Sequence, residues 1–332
     1  MKLSVLAALA CATILVPSAS LARQVTFAAA AEPGSAIVLP LASVADIPVR
    51  APFLDEGSRA QVVRALGSAR FDFERGSTLE VRGTGAAPLI LVVGLGKQAP
   101  TEEQALAIGG KAAAQLAGFA GPVALAATGL PAATVEQMAT GADLRSYRFE
   151  RYKSERAKPE QTAPITVVGG EAAAARFARD GRALVEAVDF ARDLVNEPAN
   201  ILYPETFVER TRAAFKGVPN VSIEVLDVPA MERLGMGAIL SVGQGSVRPS
   251  RMLIVRYRGT NAAPVAIAGK GITFDSGGIS LKPGEGMWRM KGDMAGAAAA
   301  VGAVLSLAKS QAPVSVLAAA ALRVESPALA DA

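Results

Sequence analysis

Residues 265–296 read VAIAGKGITFDSGGISLKPGEGMWRMKGDMAG. Val265 to Ala268 is a short apolar run of strand character, and Lys270 lies just after it. Asp275 follows, ahead of a Gly277–Gly278 turn, and then Lys282. Asp293 opens an alanine-rich stretch that runs to Ala308 and reads as a tightly packed helix. A strand, a glycine turn and a helix in that order belong to α/β sheets, whose ligands bind beyond the carboxyl ends of the strands. Two carboxylates and two lysines at that place fit a hard cation with a positive group beside it. Oxygen donors suit Mg or Mn, and a nitrogen among them admits Zn. The plainer alternative is a surface loop with ordinary salt bridges.

The same alternation extends in both directions. Upstream, Ile37–Leu39, Leu89–Val93, Pro122–Ala127 and Ile165–Val168 read as strands. Between them lie a helical spacing at Ser58–Leu66 and a capping box, Thr101 to Gln104, opening a helix to about Phe119. Polar residues 150–164 read as a partly exposed connection, followed by a long helix from Glu171 to about Val195, stopped by Pro198. Val221–Leu226, Met252–Tyr257 and Val314–Ala319 complete the strands. The fold class is α/β, with an N-terminal α/β domain over 23–165 and a second α/β domain over 166–332. Gly94-Leu95-Gly96-Lys97 and Gly269-Lys270-Gly271 read as turns but lack the spacing and the Ser/Thr of a phosphate loop.

Composition narrows the chemistry. The chain has 332 residues, 51% hydrophobic and 19% charged, enough to build packed cores. It has no histidine, so a Ser-His-Asp triad and any His-ligated metal are excluded. Its one cysteine, Cys11, excludes disulfides and zinc ribbons. The net charge of +4 is too small to make a polyanion the expected partner. Arg145 to Lys158 mixes basic and aromatic residues, but Glu150 and Glu155 dilute it, and a solvated face is the better reading. No nucleic-acid partner is expected.

Residues 1–22, MKLSVLAALACATILVPSASLA, place Lys2 before an apolar run, Leu3 to Val16, then Pro17 and the small-x-small triplet Ser20-Leu21-Ala22. This is the layout of a secretory signal peptide, too short to span a bilayer, and it predicts export, to the periplasm. Cys11 lies inside the apolar run, the wrong place for a lipid anchor. Ala295 to Ala308 is apolar but short and closed by Lys309, so a buried helix is expected there and no membrane span.

Three strings in order carry a resemblance: ARDLVNEPANILYPETF at 191–207, GAILSVGQGSVRPSRMLIVRYR at 237–258, and GKGITFDSGGISLKPGEGMWRMKGDMAGAAAA at 269–300. The chain resembles the leucine (cytosol) aminopeptidase family. The resemblance implies a two-metal exopeptidase that removes N-terminal residues from peptides, with Zn or Mn as the ions. It implies an N-terminal α/β domain of regulatory or assembly role, a C-terminal α/β/α aminopeptidase domain, and a hexamer of two trimers. Lys270, Asp275 and Asp293 match three ligands of one metal, Asp275 bridging to the second, and Lys282 matches the lysine that polarises the scissile carbonyl. A lysine ligates only as the neutral amine, whereas one that stabilises an oxyanion must be protonated. Family members are mostly cytoplasmic, in contrast with the leader.

The sequence departs from the family downstream. The later Asn-Thr-Asp-Ala-Glu-Gly-Arg motif, which completes both metal sites, is not in residues 1–332, and Glu325 and Asp331 stand outside any such context. The expectation is therefore an incomplete, truncated catalytic domain holding at most one ion, weakly. The alternative is a non-catalytic family remnant acting as an assembly or binding module.

Overall fold

A computed structural model describes residues 23–85, 87–155, 158 and 161–326. The leader at 1–22 and Asp331 lie outside the described residues.

Among the described residues, ten strands form two sheets. The first six are β1 (Val25–Ala28), β2 (Ala36–Leu41), β3 (Thr78–Arg82), β4 (Leu89–Gly94), β5 (Val123–Ala126) and β6 (Ile165–Val168). They make one sheet in the order β1-β6-β5-β2-β4-β3. Every pairing is parallel except the edge strand β3, antiparallel to β4. A parallel sheet is covered on both faces, so its strands must be apolar throughout. β2 and β4 are buried end to end, and neighbouring residues feed opposite cores. Val38 and Leu91 pack with Ile108, Met138 and Phe177, whereas Ile37 and Ile90 pack with Leu54, Val62 and Leu66. The helices supplying some of those partners start at side-chain caps, one of them the capping box read in the sequence. Asp55 accepts from Ser58 N–H at 2.8 Å at the head of Glu56–Ser68. Thr101 and Gln104 close the expected capping box at the head of Glu102–Gln115.

The second sheet holds β7 (Val221–Leu226), β8 (Arg251–Arg258), β9 (Val265–Asp275) and β10 (Ser315–Glu325) in the order β7-β8-β10-β9. β8 runs antiparallel to both neighbours, and β9 and β10 are parallel, joined through the helix Ala295–Lys309. One core gathers Leu253, Val255, Val301, Leu305 and Ala320 with Phe207 from the helix Pro204–Ala214.

Two local readings change. Gly269-Lys270-Gly271 is not a turn: β9 runs on to Asp275, with Lys270 inside the strand. β10 likewise continues past Ala319, so that Ala321 pairs with Lys270 and Glu325 with Asp275. The glycine serves packing. A Cβ at Gly269 would stand 2.3 Å from the carbonyl of Gly296, because the helix N-terminus rests on the strand backbone there. The long helix is interrupted. Glu171–Arg176 passes through a π-helical turn, Phe177–Gly181, into Arg182–Asn196, ending two residues before Pro198. Among the described residues no helix is long and apolar enough to cross a membrane.

Candidate metal centre

Asp275 is the last residue of β9, at the carboxyl end of the parallel β9–β10 pair, where α/β sheets present ligand-binding groups. It is 8% exposed. Beyond it the chain reverses through Gly277 at φ +94° and Gly278 at φ +61°, a region costly to any residue with a Cβ. A Cβ at Gly277 would also meet the Ser280 carbonyl at 2.4 Å. The turn is pinned three ways. Lys282 N–H donates to the Ser276 carbonyl at 2.9 Å. Gly277 N–H donates to Asp275 Oδ1 at 2.8 Å. The Ser276 hydroxyl donates to the Glu325 carbonyl at 2.8 Å, tying the turn to the end of β10. The reversal returns Lys282 Nζ to 2.5 Å from Asp275 Oδ1.

Asp293 arrives from the other side. It follows the 3-10 turn Met287–Gly292 and precedes the helix Ala295–Lys309. Its Oδ2 lies 3.3 Å from Lys270 Nζ, and the Asp275 and Asp293 carboxyl groups meet within hydrogen-bonding reach. All four residues singled out in the sequence are therefore brought together, as two crossed ammonium–carboxylate pairs.

The two carboxyls differ electrostatically. Burial works to raise Asp275, but the Lys282 ammonium and the Gly277 N–H outweigh it and hold the group below the ordinary carboxylate range. Burial raises Asp293, against the pull of Lys270 and with the Asp275 charge adding to the rise. Asp293 Oδ2 is buried and accepts no hydrogen bond, since Lys270 stands at ion-pair distance but outside hydrogen-bond geometry. The Lys270 ammonium is thus the charge that faces this buried oxygen, through an ion pair rather than an aligned hydrogen bond. Among the described residues no three Asp, Glu, His or Cys side chains converge on one point. The potential donors gathered here are the carboxyl groups of Asp275 and Asp293, with Lys270 Nζ beside them. The donor set fits a divalent ion at three positions.

Reading along the chain missed several neighbours. Glu325 is the register partner of Asp275 on β10. Lys291 Nζ donates to the Asn196 carbonyl, which fastens the loop ahead of Asp293 to the end of the helix Arg182–Asn196. Glu197, next to it, is fully buried and receives Arg151 at 3.1 Å, Tyr152 at 3.0 Å and Arg210. Tyr147 donates to Asp193 at 2.7 Å. The basic and aromatic stretch around 145–155 thus spends Tyr147, Arg151 and Tyr152 on the second half of the chain. The loop between Asp275 and Asp293 exposes Ile279, Leu281 and Trp288.

The profile described as "Cytosol aminopeptidase family, catalytic domain" matches residues 189–328, and that described as "Cytosol aminopeptidase family, N-terminal domain" matches residues 40–156. The chain belongs to the cytosol aminopeptidase family. A probable cytosol aminopeptidase of Bradyrhizobium sp. is 42% identical over 279 residues, 80% of this chain and 55% of that protein. One from Methylobacterium radiotolerans is 45% identical over 266 residues, 76% of this chain and 52% of that protein. Among solved structures, a tomato leucine aminopeptidase mutant superposes with a TM-score of 0.72 at 25% identity, covering 93% of this chain and 64% of that one. A bottromycin maturation enzyme in complex with Mn gives a TM-score of 0.68 at 28% identity, covering 89% of this chain and 60% of that one. The chain spans about half the length of the curated relatives it matches. The mixed α/β architecture of two sheets is that of the family.

Proposed function

We propose that this chain carries the centre of a metal-dependent aminopeptidase that releases N-terminal residues from peptides. The observation that carries the reading is the meeting of the Asp275 and Asp293 carboxyl groups with Lys270 and Lys282 at the carboxyl end of β9. Asp275, Asp293 and the neutral amine of Lys270 would hold a divalent ion, Mn or Zn. Such an ion supplies Lewis-acid polarisation and a nucleophile at neutral pH. Lys282, which the Gly277–Gly278 turn returns to Asp275, would bind a carbonyl oxygen as negative charge develops on it. Asp275 orients that ammonium, and the loop bearing Ile279, Leu281 and Trp288 offers apolar surface to a substrate side chain. Calorimetric titration with Mn or Zn, paired with hydrolysis of leucine p-nitroanilide, tests the reading. Saturable binding with turnover is the expected result, and no binding to the folded protein would defeat it.

A second reading is favoured by the carboxylate count: among the described residues no three Asp, Glu, His or Cys side chains converge on one point. The chain would then be a family remnant that binds or assembles without catalysis. A folded protein that binds the ion, associates as the hexamer proposed from the family, and leaves the substrate intact supports it. We also propose that residues 1–22 direct export, on the strength of the apolar run and the Ser20-Leu21-Ala22 triplet.

A further inference from the structure

Asp293 is fixed along the chain from both sides. Met294, fully buried, enters the core that also holds Leu194 and Ala297. Two residues before Asp293, Lys291 leaves the 3-10 turn Met287–Gly292 and gives its ammonium to the Asn196 carbonyl. Asn196 ends the helix Arg182–Asn196, where the last carbonyls have no partner within the helix and the dipole favours a cation. Gly292 lies against the same helix end, since a Cβ there would stand 3.6 Å from Val195 Cγ1. The N-terminal domain holds that helix end in turn. Asn196 Nδ2 donates to the Tyr147 hydroxyl at 3.2 Å, and the hydroxyl donates to Asp193 Oδ1 at 2.7 Å. Tyr147 follows the helix Ala132–Ser146, and the Arg192 guanidinium lies 5.3 Å from its ring centre. Arg192 also donates to the Leu144 carbonyl at 2.6 Å.

We propose that Lys291 is a positioning residue of the metal centre, and that Tyr147 is the point through which the N-terminal domain acts on it. The inference rests on the reading of Asp293 as an ion ligand. The Asp293 carboxyl meets Lys270 of β9 at 3.3 Å, whereas the backbone that carries it is tied to the helix Arg182–Asn196. Its place opposite Lys270 and Asp275 therefore depends on where that helix end stands relative to β9. Apolar packing at Met294 is non-directional. The charge-assisted bond of Lys291 adds direction and fixes the turn two residues ahead of the carboxyl. Lys291 acts on Asp293 through the backbone and not on an ion or a substrate. Tyr147 acts one step further out. Its hydroxyl serves as donor to Asp193 and as acceptor from Asn196, so it holds two side chains of the last helical turn at once. Loosening that turn loosens the carbonyl on which Lys291 rests.

The test uses the full chain and reads three quantities: Mn affinity by calorimetry, the urea midpoint, and hydrogen exchange of the amides at 287–293 without ion. Lys291→Met removes the ammonium and keeps the stem, and Lys291→Arg restores a cationic donor. Tyr147→Phe removes the hydroxyl and keeps the ring beside Arg192. The expected result is Mn affinity weaker by about 10-fold or more in Lys291→Met, with most of it recovered in Lys291→Arg. Exchange at 287–293 should quicken in Lys291→Met while the urea midpoint stays near the parent's. Tyr147→Phe should weaken Mn binding by about threefold, and by nothing further when Lys291 is already Met. A Lys291→Met protein that holds Mn like the parent, or a loss that arginine does not restore, overturns the positioning role. An additive loss in the double variant overturns the route through Tyr147. If Lys291→Met does not fold, Tyr147→Phe decides, and an unchanged affinity there overturns the proposal. A parent that takes up no Mn defeats the function reading itself, whereas unchanged exchange at 287–293 in Lys291→Met defeats the tether alone.

Discussion

Lys282 Nζ stands 2.5 Å from Asp275 Oδ1, the shorter of the centre's two ion pairs. The other, Lys270 with Asp293, is longer and leaves the Asp293 oxygen without a hydrogen bond. The asymmetry separates the two lysines. One is locked on a carboxylate that stays charged, and the other shares a carboxyl that lacks a full partner.

Lys270→Ala should therefore weaken Mn or Zn binding, read by calorimetry. Lys282→Ala should leave binding near the parent's and lower turnover by about 100-fold or more, the usual cost of losing one oxyanion donor. Equal loss of ion in both variants contradicts this division.

Gly269→Ala places a methyl group 2.3 Å from the Gly296 carbonyl, against backbone that has nowhere to retreat. Overpacking of this kind costs about 1–3 kcal/mol. The helix would be pushed off β9, separating Lys270 from Asp293. Urea unfolding and ion affinity should both decline, and an unchanged ion affinity would show that the close approach does not hold the centre together.

Glu197 is fully buried and neutralises Arg151 and Arg210 while accepting from Tyr152. Removing Glu197 leaves Arg151 and Arg210 without their carboxylate, and because both arginines reach solvent the cost is about 1–3 kcal/mol. Glu197→Ala should lower the unfolding midpoint by that measure, and a loss below about 1 kcal/mol would mean solvent compensates both arginines.

Asp143 and Asp189 interact between the helix Ala132–Ser146 and the helix Arg182–Asn196. Burial is the main cause of both upward shifts, to about 6 for Asp143 and about 7 for Asp189; Arg182 and Arg192 oppose them, and neighbouring carboxylates add. A carboxyl raised in the folded state binds its proton more tightly there than in the unfolded chain. The contribution of these groups is complete below about pH 4 and is lost as pH rises toward about 7. Allowing for solvent screening, the loss is on the order of 2 kcal/mol. Urea midpoints at about pH 5 and about pH 8 should differ in that direction, and Asp189→Asn should shrink the gap. A parent midpoint that rises with pH would reverse the assignment.

The strand runs at Leu89–Val93 and Ile165–Val168 and the capping box at Thr101 were legible because each depends on a few adjacent residues. The true length of β9 was not. Gly269 and Gly271 read locally as a turn, and what makes them strand is the pairing with Ala320 and Leu322, far along the chain, and the helix laid against them. The stretch around Arg151 read as a solvated face for the same reason, since its partner Glu197 lies in another element.

Residue order alone sufficed for the alternation of strands and helices and for the exclusion of histidine and cysteine chemistry, and it singled out Lys270, Asp275, Lys282 and Asp293 as residues the fold then brings together. Those follow from composition, periodicity and motif, which neighbours along the chain carry. The crossed pairing of Lys270 with Asp293 and Lys282 with Asp275, the unbonded Asp293 oxygen and the burial of Glu197 came only from the folded chain. Burial and hydrogen-bond satisfaction belong to atoms gathered from distant segments, and no local pattern encodes which segments those will be.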